Sequence, residues 1–178
     1  ADQYRSGEYE PLSTERAIKY CAFLKEWFEQ YNIEVIRTGL QSTEELDSGN
    51  SLIAGPYEPA MGELVVNEQY KQRIERCIDE HLSSENVLGK QNGYKFSHFD
   101  YYHIHKVKCR SYSDSGDILM KHRIVISYPR SSTSKVRGLK NRNILYFQEM
   151  YPQFSIDWCE DNTRNTVRCC IDGLQYVL

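Results

Sequence analysis

The chain has 178 residues, 40% hydrophobic and 26% charged, with 22 Lys and Arg against 25 Asp and Glu. This composition is globular and excludes intrinsic disorder, collagen and coiled coil as descriptions of the whole, and no apolar run reaches the roughly 18 residues that span a bilayer, so no membrane association is expected. The net charge of -3 hides a division: residues 1–90 hold 9 basic and 17 acidic side chains and residues 91–178 hold 13 and 8, which marks either a polyanion-binding surface or two halves that attract each other.

In chain order, residues 1–12 read as a polar arm. A helix follows, with Ser13 or Thr14 as cap, Glu15 in the first turn, and an apolar stripe at Ala17, Tyr20, Cys21, Leu24, Trp27, Phe28 and Tyr31. The stripe is rich enough in aromatics to pack on a sheet, with Trp27 and Phe28 near the centre of the interface. Residues 33–36 have the apolar character of a short strand. Residues 39–60 are rich in Ser and Gly and read as a long loop, in which Ser42 and Glu45 form a capping box for a short helical turn. A second helix is expected from Asn67 as cap, with Tyr70, Ile74, Cys77, Ile78 and Leu82 on one face.

After Gly93 the apolar period shortens to two. Residues 94–110 and 118–128 read as strands of a hairpin, followed by strands at 143–151, 154–159 and 166–172. The connections are short, which favours antiparallel neighbours. The expected fold is α+β: a single domain over residues 1–178, with two amphipathic helices on one face of a mainly antiparallel sheet of about five strands.

The chemistry on offer is diffuse. Residues 106–142 hold ten basic side chains against Asp114 and Asp117, centred on a basic loop at 129–143. Arg123, Arg130, Lys135, Arg137, Lys140 and Arg142 are the candidate ligand-binding residues, because cations interleaved with hydroxyls and backbone amides suit phosphate oxygens. Aromatic residues on the neighbouring strands would add stacking surfaces for single-stranded nucleic acid. Four histidines cluster between 98 and 122. His103 and His105 are two apart on an expected strand and share a face, so with His122 across the hairpin they form a weak alternative metal site, against an expectation of no metal and no cofactor.

Six cysteines occur with no C-x-x-C pair, which argues against a zinc ribbon. Cys21 and Cys77 fall on helix stripes as small core residues, and Cys169 and Cys170, adjacent on a strand, point to opposite faces. The chain has neither a glycosylation sequon nor a signal peptide, which favours an intracellular compartment, cytoplasmic or nuclear, with secretion left open. Lys121-His122-Arg123-Ile124 and Phe154-Ser155-Ile156-Asp157 resemble strands of the metal-dependent tunnel RNA triphosphatases. The last strand departs from that pattern: Thr166 to Asp172 carries no glutamate pair to cage a metal.

These features favour a non-enzymatic binding module for RNA or another phosphate-bearing partner. The alternatives are a protein-interaction domain of a larger eukaryotic or viral assembly, using aromatic patches and the 39–60 loop, and a metal-assisted hydrolase of phosphorylated substrates centred on the histidines.

Overall fold

The first long helix is set by its ends. In the computed structural model, which describes residues 2–87 and 122–178, Ser13 Oγ accepts from Arg16 N at 3.3 Å and starts helix α2, Thr14–Gln30, after a single turn, α1, at Asp2–Arg5. It stops where Asn32 takes a left-handed φ of 56°. Asn32 N then donates to Glu29 O and Ile33 N to Phe28 O, the paired bonds that close a helix over a left-handed residue. Residues 33–36, expected as a strand, form none, and Ile36 stands 92% exposed. The capping turn α3, Glu44–Asp47, uses Thr43 rather than Ser42 as its cap.

Helix α4, Met61–Val87, begins six residues before the expected cap at Asn67. Pro59 marks the boundary, and Met61, Leu64 and Val65 extend the buried stripe toward the N-terminus. This first part of α4 packs on α2, with Ala22, Met61 and Val65 as a small core flanked by Ile18 and Cys21. Gly39, at φ +83°, lets the connecting loop pass α4 closely, since a Cβ there would come within 2.7 Å of Met61 Cβ.

Among the described residues the sheet has four strands in the order β2-β1-β3-β4: β1 Arg123–Tyr128, β2 Ser155–Glu160, β3 Arg168–Ile171 and β4 Leu174–Val177. β1 and β2 are parallel, with Ile124 opposite Ile156; β3 is antiparallel to both β1 and β4. Parallel neighbours need a crossover. The connection 129–154 supplies it with the helices α5, Thr133–Arg137, and α6, Arg142–Met150, and with short 3-10 turns at Arg130–Ser132 and Leu139–Asn141.

The α+β class therefore stands, but the details change. The segment expected as a strand at 143–151 is α6, where Asn143 and Phe147, four apart, bury one helical face. The expected basic loop is a chain of helical turns. β4 was not anticipated. Ile124, Ile126 and Tyr128 of β1 and Cys169 and Ile171 of β3 alternate inward and form one core with Ile74, Cys77 and Ile78 of α4, Val136 of α5 and Phe147 of α6. The helices on the sheet are thus α4, α5 and α6. Helix α2 meets α4 instead, so Trp27 lies 43% exposed rather than at a helix-sheet interface. The expected strand at 94–110 and the loop after it lie outside the described residues.

Candidate functional site

Three side chains from distant elements converge at one end of the sheet. His81 lies on α4, His122 immediately precedes β1, and Asp172 is the first residue of the two-residue turn joining β3 to β4. That turn is Asp172-Gly173, with φ of 48° and 89°. Positive φ at both central residues matches the twist of the flanking strands, and Asp-Gly is a favoured pair for it.

The Asp172 carboxylate is held by both oxygens. Oδ1 accepts the backbone N–H of Arg123 at 2.9 Å, while Oδ2 lies 2.6 Å from His122 Nδ1 and 3.3 Å from His81 Nε2. The hydrogen bond from His122, assisted by the Arg123 amide, holds the Asp172 carboxyl below its usual range. Aromatic contacts fix the rings: His122 lies against Phe154 at 5.4 Å, and His81 meets the His122 ring edge-on at 5.9 Å. The His81 side chain is buried at 4% exposure; His122 and Asp172, at 30% and 36%, leave one side open to solvent.

The sequence had pointed to His122 with His103 and His105. The latter two lie outside the described residues, and the structure pairs His122 with His81 and Asp172 instead. The Asp-Gly dipeptide between two strand-like segments was a usable local signal for the turn. His81 carried none.

The candidate phosphate ligands divide among different parts of the fold. Arg123 is engaged by Asp157, through Nε at 3.1 Å and Nη2 at 3.0 Å. It starts β1 while Arg130 follows its other end, so the two lie roughly 20 Å apart along the strand. Lys135 and Lys140 are exposed on helical turns, and Arg137 is half-buried on α5. Arg142 opens onto a cavity of ≈ 260 Å³ between α2, α4 and α6, where Glu15 and Glu68 also stand.

Buried amides pin this segment. Asn67 Nδ2 donates to the carbonyls of Ser134 and Lys135, and Asn67 Oδ1 accepts from Leu139 N. Asn143 Nδ2 donates to the carbonyls of Asn67 and Val136.

A different surface stands open on α2. Tyr20, Leu24, Trp27 and Tyr31 recur at helical spacing and are 43–64% exposed. Ile33, Ile36 and Leu40 continue the exposed apolar surface along the chain that follows.

Residues 1–72 match the family model of the Radical_SAM C-terminal domain. No curated protein and no solved structure matches the chain. The family match overturns the expectation of an RNA- or phosphate-binding module, together with its alternatives of a viral or eukaryotic interaction domain and a hydrolase. The matched residues comprise the arm, α2, the 39–60 loop and the start of α4, a region more acidic than basic and separate from the basic window that had carried the RNA reading. No helix among the described residues is long and apolar enough to cross a membrane.

Proposed function

We propose that this chain serves as the C-terminal region of a radical SAM protein, and that the exposed stripe of α2 seats it against the part of that protein preceding it. The observation that carries this reading is coincidence of position. The family match covers residues 1–72, and a run of exposed apolar side chains at helical spacing, Tyr20, Leu24, Trp27 and Tyr31, lies within it. Helix α2 fully buries only Ala17 and Ala22 and half-buries Ile18, Cys21, Phe23 and Phe28, which leaves Tyr20, Leu24 and Trp27 on its outer face. Contiguous apolar surface of this kind marks an interface, and Trp and Tyr are the residues that most often anchor one.

The preceding part of a radical SAM protein from the same organism, produced as a separate polypeptide, should bind residues 1–178 in sedimentation or titration calorimetry. Leu24→Glu and Trp27→Glu should each weaken that complex by at least about 2 kcal/mol, the scale of an interface hot spot. Both sites are exposed, so the melting temperature of the isolated chain should hardly move. Failure of the wild-type chain to bind, or binding that both substitutions leave intact, rejects the proposal.

A further inference from the structure

We propose that His81 Nε2, His122 Nδ1 and Asp172 Oδ2 form a binding site for a divalent transition-metal ion of the zinc class. The site lies wholly outside residues 1–72 and does not depend on the radical SAM reading. Each of the three residues offers a ligand atom within 4.8 Å of those of the other two. Tetrahedral zinc with nitrogen and oxygen ligands at about 2.0–2.2 Å separates its donors by roughly 3.3–3.6 Å. The His81–Asp172 distance of 3.3 Å already meets that spacing. The His122–Asp172 distance of 2.6 Å must open by less than about 1 Å, which small side-chain rotations supply.

The donor set fits the ion. Two neutral imidazoles and one carboxylate leave a bound dication with a net charge of +1, and a nitrogen-oxygen set of borderline softness suits zinc, cobalt and iron(II) better than calcium or magnesium. The outer partners also fit. The Arg123 amide holds Oδ1 and turns Oδ2 toward the imidazoles. Phe154 backs the His122 ring. Arg123, a neighbouring cation among the described residues, is drawn to Asp157, and its guanidinium is engaged there rather than at the Asp172 carboxylate. Outer partners of this kind fix ligand orientation and sustain affinity. The solvent-open side at His122 and Asp172 leaves room for a further ligand, so the ion would be held by three protein donors and one exchangeable group.

The test uses the full 178-residue chain, stripped with chelator and equilibrated with micromolar free Zn²⁺ or Co²⁺. Elemental analysis should find about one equivalent bound, and Zn²⁺ should raise the melting temperature by linkage. His122→Gln and Asp172→Asn should each weaken binding by roughly 100-fold or more, beyond the upper end of what outer partners alone cost. Both positions are partly exposed and both replacements are close in shape, so folding survives even if the buried His81→Gln does not. The Co²⁺ form should lack sulfur-to-metal charge-transfer absorption. Absence of stoichiometric metal would mean that the cluster is only a hydrogen-bonded triad, and would overturn the proposal. So would metal retained in both variants, or a charge-transfer band, which would assign the ion to a cysteine such as Cys159 or Cys170.

Discussion

Glu75 on α4 and Tyr146 on α6 meet where the two helices face each other, the tyrosine hydroxyl donating to the carboxylate. Lys71 stands over the same ring, 4.6 Å from its centre, and pairs with Glu68 at 2.6 Å. Burial pushes the Glu75 carboxyl above its ordinary value of 4.5, with the Tyr146 hydrogen bond and Lys71 opposing the rise. Burial also pushes the Tyr146 hydroxyl up, and the Glu75 charge adds to it. The sign of the linkage follows from the carboxyl. In the interval between its ordinary and raised values the folded state holds more protons than the unfolded one, so stability falls as pH rises through that interval. Glu75→Gln keeps an acceptor for Tyr146 but cannot ionise. Denaturant titrations should therefore find the variant equal to the wild type below pH 4.5 and more stable at neutral pH. A variant less stable than the wild type at neutral pH would show that the Glu75 charge is favourably placed.

The segment from Ser134 to Asn143 is an element made by two amides rather than by a hydrophobic face. It contributes Val136 to the core, and Asn67 and Asn143 tie its carbonyls and the Leu139 N–H to α4 and to each other. Gly138, at φ +76° and with Asn143 atoms 3.1 Å from where its Cβ would stand, allows the close turn. Replacing Asn67 by Ala removes the partner that the side chain gives to the Lys135 carbonyl and the Leu139 N–H, while Ser134 O keeps its bond from Gly138 N, at a cost of about 2–3 kcal/mol in urea unfolding. A loss within about 0.5 kcal/mol would mean that water substitutes freely.

Neither role was legible beforehand. Asn67 looked like a helix cap because Asn favours caps, and only the tertiary position of 134–139 reveals its use. What was legible is local. Ser13 caps α2 as its position before the apolar stripe implies, and alternation marks β1 and β3. Periodicity, however, says which residues share a face and not what covers it, so the α2 stripe suits a sheet as well as the helix α4 on which α2 packs. Ile144 to Phe147 is an apolar run short enough to suit strand or helix, and the parallel pairing of β1 with β2 decides for helix. The His81–His122–Asp172 cluster joins residues 50 and 91 apart, a distance over which spacing carries no information.

At the scale of the whole molecule, the end of the family match at residue 72 falls between two cores. The small one, Ala22, Met61 and Val65, lies before it; the large one starts at Ile74 and takes in the sheet, α5 and α6. Helix α4 runs through both as a continuous spine. The smaller unit gains from Arg73 and Arg76, which reach back to Glu26, and from the pairing of Arg73 with Glu29. Still, α2 buries only two alanines completely. Burial of apolar area at about 25 cal/mol per Å² makes such a contact small beside a core holding Tyr128, Phe147 and several isoleucines. Native-state hydrogen exchange should therefore show α2 opening several kcal/mol below the global limit while β1 and β3 exchange only through complete unfolding. Ala22→Gly should lower α2 protection further without changing that of β1. Equal protection in α2 and β1 would show instead that the spine couples the two cores into one cooperative unit, and that the boundary at residue 72 has no energetic counterpart.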